Sequence, residues 1–300
     1  MNPGQLGAAA LRIPFDALRG LLPQQVKDGL KPYVNPVRYK LMLQFQPRKN
    51  RIYSQFDRFP HQHQALIDKV VPVLLDNDPT LAERPLEIAV FACCTGEEVI
   101  TLSHRLRAAF PKLKLRIRGY DLVSDVVAHA RTGRYSQEQV YSGPFVRDDF
   151  VQAVFERDGD EFRVRAALLD GVSFEVGDIT DGADVGKHAP FDLVFAQNVL
   201  FHLPRPVARQ AFHHLSGAVR PGGALVISGM DADMRIQLTG AAGLIPLEYL
   251  VEEIHEDARV DRGATWSYQY WGREPFSRNS PDWLRRYSTI FLKGRAEKPS

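Results

Sequence analysis

Cysteine is scarce in this sequence, which contains only Cys93 and Cys94 among its 300 residues. Neighbouring cysteines rarely reach the geometry of a disulfide bond, and no second pair is present to complete a zinc site. We therefore expect neither a structural disulfide nor a metal centre. Such cysteine usage fits a protein of the reducing cytoplasm, which is the predicted location.

Long apolar runs and a strong charge of one sign are also missing. No stretch of about 18 apolar residues occurs, so no transmembrane helix or membrane insertion is expected. The N-terminal segment lacks the basic start and the long apolar run of a signal peptide. The net charge is +2, and the basic stretch 35–51 is interpreted as a solvated surface, so no nucleic-acid partner is expected. The oligomeric state stays open.

From residue 86 onward, apolar runs typical of β-strands alternate with helix-like stretches. The five runs show little polar alternation, which is typical of parallel strands that are buried on both faces. They lie at 86–92, 114–121, 172–178, 191–198 and 223–229. The pattern predicts a doubly wound α/β domain over residues 81–300. Residues 1–80 contain short helix-like pieces separated by prolines, and they predict an N-terminal helical cap.

The candidate binding residues lie at the ends of these runs, because ligands of doubly wound sheets bind beyond the carboxyl ends of the strands. The ends of the first four runs carry Cys94, Thr95, Gly96 and Glu98; then Asp121 and Leu122; then Asp178 and Ile179; and finally Gln197 and Asn198.

The turn after the first run has the sequence FACCTGEEV, residues 91–99. It has neither the glycine pattern nor the lysine of a phosphate-binding loop. Glu97 and Glu98 suit a helix N-terminus, and they would also repel a phosphate and attract a cation. Asp121 ends the second run, where an acid can accept hydrogen bonds from both hydroxyls of a ribose. These features predict a nucleoside with a cationic tail and no pyrophosphate, and S-adenosylmethionine is such a molecule.

Several motifs resemble those of the CheR-type methyltransferases, which esterify receptor glutamates in bacterial chemotaxis. The resemblance runs from about residue 50 to about residue 230. It is carried, in the family's order, by YSQFDRFPHQHQAL, ACCTGEEV, GYDLVSDVVAHARTGRYS, PFDLVFAQNVLFHL and LSGAVRPGGALVISG. It implies the seven-stranded, mostly parallel Rossmann-like sheet of class I methyltransferases, with S-adenosylmethionine as the cofactor.

The resemblance also implies roles for single residues. Ser54 and Arg58 would reach over the methionine end of the cofactor, where Arg58 would pair with its carboxylate and Glu98 would accept from its ammonium. Asp121 would hold the ribose. Asp178, which replaces a usual asparagine, and Ile179 would flank the adenine. Gln197 and Asn198 would lie under the main-chain atoms of the methyl donor.

The sequence also departs from the family at other places. Gln197 stands where the family has an arginine, which removes a fixed positive charge. His202 stands where the family has a tyrosine, and it is the candidate catalytic residue, either as a general base or as a packing residue. The region at about 232–285 is longer than usual and rich in aromatic residues, among them Trp266, Tyr268, Tyr270, Trp271 and Phe276.

Three functions remain open at this point. The sequence favours a small-molecule O- or N-methyltransferase, with the aromatic region as a lid over the acceptor pocket. The first alternative is a protein-glutamate carboxyl methyltransferase of the chemotaxis type. The second is a protein that binds S-adenosylmethionine without turnover. The methyl acceptor is accordingly expected to be a small molecule or a protein carboxylate.

Overall fold

Ten strands in two sheets make up the β-structure of the computed structural model, which describes residues 54–262 and 275–295. The strands are β1 Leu86–Phe91, β2 Leu115–Asp121, β3 Arg134–Ser136, β4 Phe155–Asp158, β5 Glu161–Val164, β6 Val172–Val176, β7 Phe191–Ala196, β8 Val219–Ile227, β9 Ile245–Pro246 and β10 Ile290–Leu292.

The larger sheet has seven strands in the order β6-β2-β1-β7-β8-β10-β9. Its first five strands are parallel to their neighbours, and β10 runs antiparallel to both β8 and β9. The predicted mostly parallel, seven-stranded sheet is thereby confirmed. Strand β1 pairs with β2 on one side and with β7 on the other, so the strand order reverses there. This switch point is where a doubly wound sheet opens a crevice for a ligand.

The helices are distributed along the whole described chain. They are α1 Pro60–Ala65, α2 Val71–Asn77, α3 Glu97–Ala109, α4 Ser124–Thr132, α5 Gln137–Val140, α6 Asp148–Val154, α7 Ala166–Leu169, α8 Gly182–Gly186, α9 Arg205–Ala218, α10 Ala232–Ala241, α11 Val251–Arg262 and α12 Trp283–Tyr287. No described helix is long and apolar enough to cross a membrane.

Alternate side chains of β1 enter two different hydrophobic cores. Ile88 and Val90 pack in one core together with the apolar residues of α3. Ala89 and Phe91 pack in the other, together with the apolar residues of α9. Because successive side chains of a strand point to opposite faces, both faces of the sheet are covered. This explains why the strands read as continuous apolar runs in the sequence.

The described part of the predicted cap is helical and packs onto the sheet. Leu66, Val71 and Leu74 belong to the same core as β1 and α3. A π-helical segment, Leu66–Val70, joins α1 to α2. Pro72 follows directly, and its missing N–H and its ring disfavour the ordinary i to i−4 pattern, which accounts for the wider turn. The domain boundary near residue 80 stays a prediction, and residues 1–53 lie outside the described residues.

A small three-stranded sheet between α4 and α7 was missed by the sequence analysis. Its order is β3-β5-β4, and its strands have only three or four residues, too few for a clear periodic pattern. Phe56 packs edge-on against Tyr135 and Phe155 of this sheet, with ring centroids 4.9 and 5.1 Å apart. The small sheet therefore fixes the chain just before α1.

The C-terminal part of the larger sheet was also incompletely predicted. Strands β9 and β10 were not recognised, because they are short, and β8 begins four residues earlier than expected, at Val219. Of the aromatic residues noted in this region, Phe276 packs on Tyr287 at 4.8 Å between ring centroids. Trp266, Tyr268, Tyr270 and Trp271 lie outside the described residues.

The turn between β1 and α3 has an unusual backbone. Ala92, Cys94 and Gly96 all have positive φ angles, of 55°, 52° and 96°. Only glycine adopts this region without steric cost, so the two other residues are strained. At Gly96 a side chain would also collide with the ring of Phe174, since a Cβ atom would lie 2.9 Å from its Cε1. The turn thus packs tightly on β6.

Gly96→Ala is expected to destabilise the protein more than Gly159→Ala. Gly159 also has a positive φ of 66°, but an added Cβ there meets no atom within 4 Å. The free energy of unfolding of the control should therefore fall only by the cost of the backbone conformation, about 1–2 kcal/mol. Gly96→Ala should lose about 1–3 kcal/mol more, because Phe174 must move. Urea unfolding of both variants measures the difference, and equal losses would show that Phe174 does not constrain the turn.

Candidate active site

Asp121 fixes the geometry of the cleft at the end of β2. Its Oδ2 accepts a hydrogen bond from the Cys94 amide at 2.9 Å, and its Oδ1 accepts from the Val123 amide at 3.0 Å. Burial raises the pKa of Asp121, although these backbone hydrogen bonds partly offset the effect. The carboxylate is thus held in one orientation at the switch point, with remaining lone pairs for two ribose hydroxyls.

The two cysteines of the turn are buried thiols. Burial raises the pKa of Cys93 well above its ordinary value and raises the pKa of Cys94 to about 12. Since the thiolate is the reactive and metal-binding form, neither side chain is suited to nucleophilic or metal chemistry. No group of three potential metal ligands is found among residues 54–262 and 275–295. Cys94 instead contributes its backbone amide, which binds Asp121.

The two glutamates of the turn have different surroundings. Glu97 is buried and accepts a hydrogen bond from the Thr95 hydroxyl at 2.5 Å. Burial raises the pKa of Glu97, and contacts with Thr95 and Ser54 oppose this rise. Ser54 is thus placed beside Glu97. Burial likewise raises the pKa of Glu98, opposed by the neighbouring side chains of His63 and Arg58. Arg58 and Glu98 are thus near each other, and their predicted roles toward the carboxylate and the ammonium of the cofactor stay predictions.

Three buried oxygen atoms in this part of the cleft have no hydrogen-bond donor among the described residues. They are Oε2 of Glu97, Oε1 of Glu98 and Oε1 of Gln197. The Gln197 side chain lies beside Glu98. A buried acceptor without a donor is costly, and the cost is removed when a ligand supplies the missing N–H groups. An ammonium group has three donors and a positive charge that favours ionised Glu98. The residues therefore fit the amino group of the methionine part of S-adenosylmethionine.

Helix α1 is tied to the floor of the cleft by side-chain amides. The Gln197 amide donates to Oε1 of Gln62, and the Gln62 amide donates to the Thr289 hydroxyl at 2.6 Å. On its outer side, the His61 ring lies 2.8 Å from Oδ1 of Asp257 in α11. Helix α1, which begins two residues after Arg58, is thus held by contacts to Gln197 after β7, to Thr289 before β10 and to Asp257 of α11.

The segment after β6 combines a local turn at Asp178 with a neighbouring apolar surface. Oδ1 of Asp178 accepts from the Thr180 amide at 2.8 Å and from the Thr180 hydroxyl at 2.7 Å, and Ile179 is buried. Leu122 and Val176 are 37% and 54% exposed, so apolar side chains face solvent beside Asp121. Val176 is the register partner of Asp121 and was missed by sequence reasoning. This surface suits an aromatic base, and the adenine role of Asp178 and Ile179 stays a prediction.

His202 ends a short 3₁₀ turn, Leu200–His202, after β7. Its backbone amide donates to the Val199 carbonyl at 3.0 Å, and its ring centroid is 4.0 Å from that of Phe201. Asn198, which has a positive φ of 51°, is buried two residues after Ala196, the last residue of β7. Its amide donates to the Ser228 carbonyl at 3.1 Å.

A cavity opens beside Asn198, and we call it the Asn198 cavity. Its volume is about 20 Å³, enough for about one water molecule. Its described lining is Phe59, Asn198, Ser228, Gly229, Arg235, Ile254, His255, Ala258, Tyr287 and Thr289. Sequence reasoning identified only Asn198 in this set. His202 is not among the described lining residues, so its role as a catalytic residue stays a prediction.

Comparison with known protein families assigns the chain to one family. The family model "CheR methyltransferase, SAM binding domain" matches residues 53–241, more than half of the chain. The chain belongs to this family. S-adenosylmethionine is therefore its cofactor, in agreement with the chemistry of the cleft.

Curated relatives match over part of their length. The chemotaxis protein methyltransferase Cher2 of Pseudomonas putida is 26% identical over 184 residues, which cover 59% of this chain and 63% of the relative. The probable biofilm formation methyltransferase WspC of Pseudomonas aeruginosa is 25% identical over 182 residues, 60% of this chain and 42% of the relative. The matched region thus spans less than two thirds of these proteins.

Among solved structures, the chain is similar to magnesium protoporphyrin IX methyltransferase from Synechocystis with bound S-adenosylmethionine. It is 17% identical, with a TM-score of 0.38, and the overlap covers 83% of this chain and 90% of that one.

Asp121→Asn is expected to weaken the binding of S-adenosylhomocysteine by about 1.5–3 kcal/mol, because a charged acceptor of the ribose hydroxyls becomes a neutral amide. Asp125→Asn is the matched control, since Asp125 is an exposed acid in the first turn of α4, four residues after Asp121. Calorimetry should show unchanged affinity for the control. Equal affinities for the wild type and Asp121→Asn would place the ribose elsewhere.

Binding of S-adenosylhomocysteine is expected to release protons from Glu98 at mildly acidic pH. Burial raises the pKa of Glu98 in the free protein above the ordinary value of about 4.3, so part of the molecules carry a proton there. The ligand's ammonium favours the carboxylate, so the affinity should rise as pH increases through that pKa.

Calorimetry in buffers of different ionisation enthalpy measures this release. Glu98→Gln has no ionisable group at the position and should release fewer protons than the wild type. The same release from both proteins would exclude Glu98 as the ammonium partner.

Proposed function

We propose that this chain transfers the methyl group of S-adenosylmethionine to a side-chain carboxylate of a protein. A carboxylate oxygen would attack the methyl carbon as the bond between that carbon and sulfur breaks. The products are a methyl ester and S-adenosylhomocysteine, and no proton is transferred. The observation that carries the proposal is the pair of buried oxygens on Glu98 and Gln197, which lack donors among the described residues beside a fixed Asp121.

The residues of the cleft would bind and orient the cofactor. Glu98 and Gln197 would accept from its ammonium, and Arg58 would pair with its carboxylate. Asp121 would accept from the ribose hydroxyls. The strained backbone of the turn at 92–96 lets the chain pass close to the ligand, so Cys94, Thr95 and Gly96 would contribute shape. Holding donor and acceptor in line is the main source of rate enhancement in such a displacement.

The relatives support a protein acceptor over the small molecule that the sequence analysis favoured. Their names describe a chemotaxis protein methyltransferase and a biofilm formation methyltransferase. The CheR resemblance implies esterification of glutamate. A carboxylate is already ionised near neutral pH, since its pKa is about 4, so the acceptor needs no base. In this proposal His202 shapes the site and does not remove a proton.

The test uses S-adenosylmethionine that carries a radioactive methyl group and two acceptor probes. N-acetyl-glutamate amide offers a carboxylate, and N-acetyl-tyrosine amide offers a phenol. We expect label on the glutamate probe only, and mild base should release it as volatile methanol, because esters hydrolyse whereas aryl ethers do not. His202→Ala should retain activity within about tenfold, since a general base contributes about 10²–10⁴-fold.

Label on the phenol that survives base, together with a loss of about 10²-fold or more in His202→Ala, would support the small-molecule function instead. Binding of S-adenosylhomocysteine with no transfer to either probe, or to intact protein acceptors, would leave the third function, a cofactor-binding protein without turnover. Asp121→Asn serves as the control variant that should lose transfer through weaker cofactor binding.

A further inference from the structure

Two buried carboxamides, of Gln62 and Gln197, form a chain of hydrogen bonds beside Glu98. Nε2 of Gln197 donates to Oε1 of Gln62, and Nε2 of Gln62 donates to the Thr289 hydroxyl at 2.6 Å. Gln62 is 1% exposed and Gln197 is 8% exposed, so water does not compete freely for these groups. The chain therefore joins helix α1, the segment after β7 and the segment before β10 inside the protein.

One end of this chain is anchored in the larger sheet. Thr289 directly precedes β10, and its carbonyl accepts from the amide of Ile227, the last residue of β8, at 2.8 Å. The Thr289 hydroxyl therefore has a fixed position. Gln62 is held from its own side as well, because Asp257 of α11 accepts from the His61 amide of α1 at 3.0 Å. The carboxamide of Gln62 thus lies between two anchored segments.

The other end of the chain is an acceptor that lacks a donor. Oε1 of Gln197 is buried and has no hydrogen-bond donor among the described residues, and the same is true of Oε1 of Glu98 beside it. Gln62 engages the NH₂ end of Gln197, so the oxygen end is the one that remains for a ligand. A ligand that supplies N–H donors there removes the cost of the buried acceptor.

The direction of the Gln197 carboxamide decides what this position can bind. The two ends of a carboxamide have nearly the same shape, but one end accepts hydrogen bonds and the other only donates them. An ammonium also only donates, so it is bound by Oε1 and repelled by the NH₂ group. The resembling family has an arginine at position 197, and a guanidinium cannot accept at all. Binding of an ammonium by Gln197 therefore requires a partner that holds its NH₂ group away from the ligand.

We infer that Gln62 is a positioning residue for the cofactor, which holds Gln197 with its oxygen toward the amino group of the methionine part. Gln62 acts through Gln197 and does not itself contact the ligand. Without Gln62, the carboxamide of Gln197 would be free to turn by half a revolution. With Gln62 in place, the same turn would require Gln62 and the Thr289 hydroxyl to change direction as well. The inference rests on the proposed roles of Glu98 and Gln197 toward the ammonium, and it is independent of the methyl acceptor.

A purely structural role for Gln62 makes a different prediction. Its hydrogen bonds also hold α1, which begins two residues after Arg58, so their loss would shift Arg58. Arg58 is the proposed partner of the cofactor's carboxylate, and a shift would weaken every ligand that carries this carboxylate. The positioning role weakens only ligands that carry the amino group. A ligand that keeps the carboxylate and lacks the amino group therefore separates the two roles.

Calorimetry on the full chain measures the affinities for S-adenosylhomocysteine and for its deamino analogue, in which hydrogen replaces the α-amino group. We expect the wild type to prefer S-adenosylhomocysteine. In Gln62→Leu this preference should fall about 5- to 20-fold, part of the effect of a hydrogen bond to a charged group, while the affinity for the deamino analogue stays within about twofold. Thr289→Val, which removes the hydroxyl at nearly constant shape, should lower the preference too, and Thr289→Ser should keep it. Gln64→Leu is the matched control, because Gln64 is an exposed residue of α1 that bonds to Asp68.

Thermal stability is measured for every variant, and if Gln62→Leu does not fold, the two Thr289 variants carry the test. An unchanged preference in folded Gln62→Leu overturns the inference, and so do equal losses for both ligands, because they would indicate a shift of α1. A wild type that binds both ligands equally overturns the ammonium roles of Glu98 and Gln197, and the role of Gln62 with them. None of these results depends on formation of a methyl ester, so the proposed carboxyl transfer stands or fails separately.

Discussion

The clamp of Asp121 on two backbone amides is the constraint on which the site depends. Cys94 lies in the turn after β1 and Val123 follows β2, so one carboxylate joins the ends of two neighbouring parallel strands. The clamp holds the turn in a backbone shape that Ala92 and Cys94 adopt only at a steric cost. Without it, the turn would relax and the start of α3, with both glutamates, would shift.

Three carboxyl groups, of Glu97, Glu98 and Asp121, are gathered at this edge, and burial raises the pKa of each. A cluster of this kind is unfavourable in the free protein, because buried charges repel one another and lack water. A ligand that carries a positive charge and hydroxyl donors relieves this cost. The three acids therefore favour a cationic nucleoside and disfavour a pyrophosphate.

The Asn198 cavity is built in large part from the C-terminal helices. Helices α10, α11 and α12 place Arg235, His255 and Tyr287 around it. The rings of His255 and Tyr287 meet edge to face at 5.0 Å between centroids, which gives the wall a defined shape. The candidate cofactor residues lie at the strand ends of the sheet, so the two regions come from different parts of the chain and meet at Asn198.

The cofactor half was predictable from the sequence, because its signals are local. Strands of apolar residues end at Asp121, Asp178 and Gln197, and parallel strands bring their carboxyl ends to one edge. The residues that line the Asn198 cavity gave no such signal. Arg235 is a charged residue in a helix of mixed polar and apolar sequence, where nothing marks it as buried, and Ser228 directly follows a strand that resembles the others. The sequence analysis also missed Val176 and the small sheet, because short strands carry little periodicity.

The sequence by itself determined the α/β class and S-adenosylmethionine as the cofactor, and it predicts the sheet edge at which the cofactor binds. These follow from periodicity and from the residue types at strand ends, which neighbouring residues fix. Only the tertiary structure decided which donors and acceptors are buried without partners, that Ser54 lies beside Glu97, and that Arg235 enters the cavity wall. The physical reason is that burial arises from packing between distant segments, and burial sets both the pKa of an acid and the strength of an ion pair.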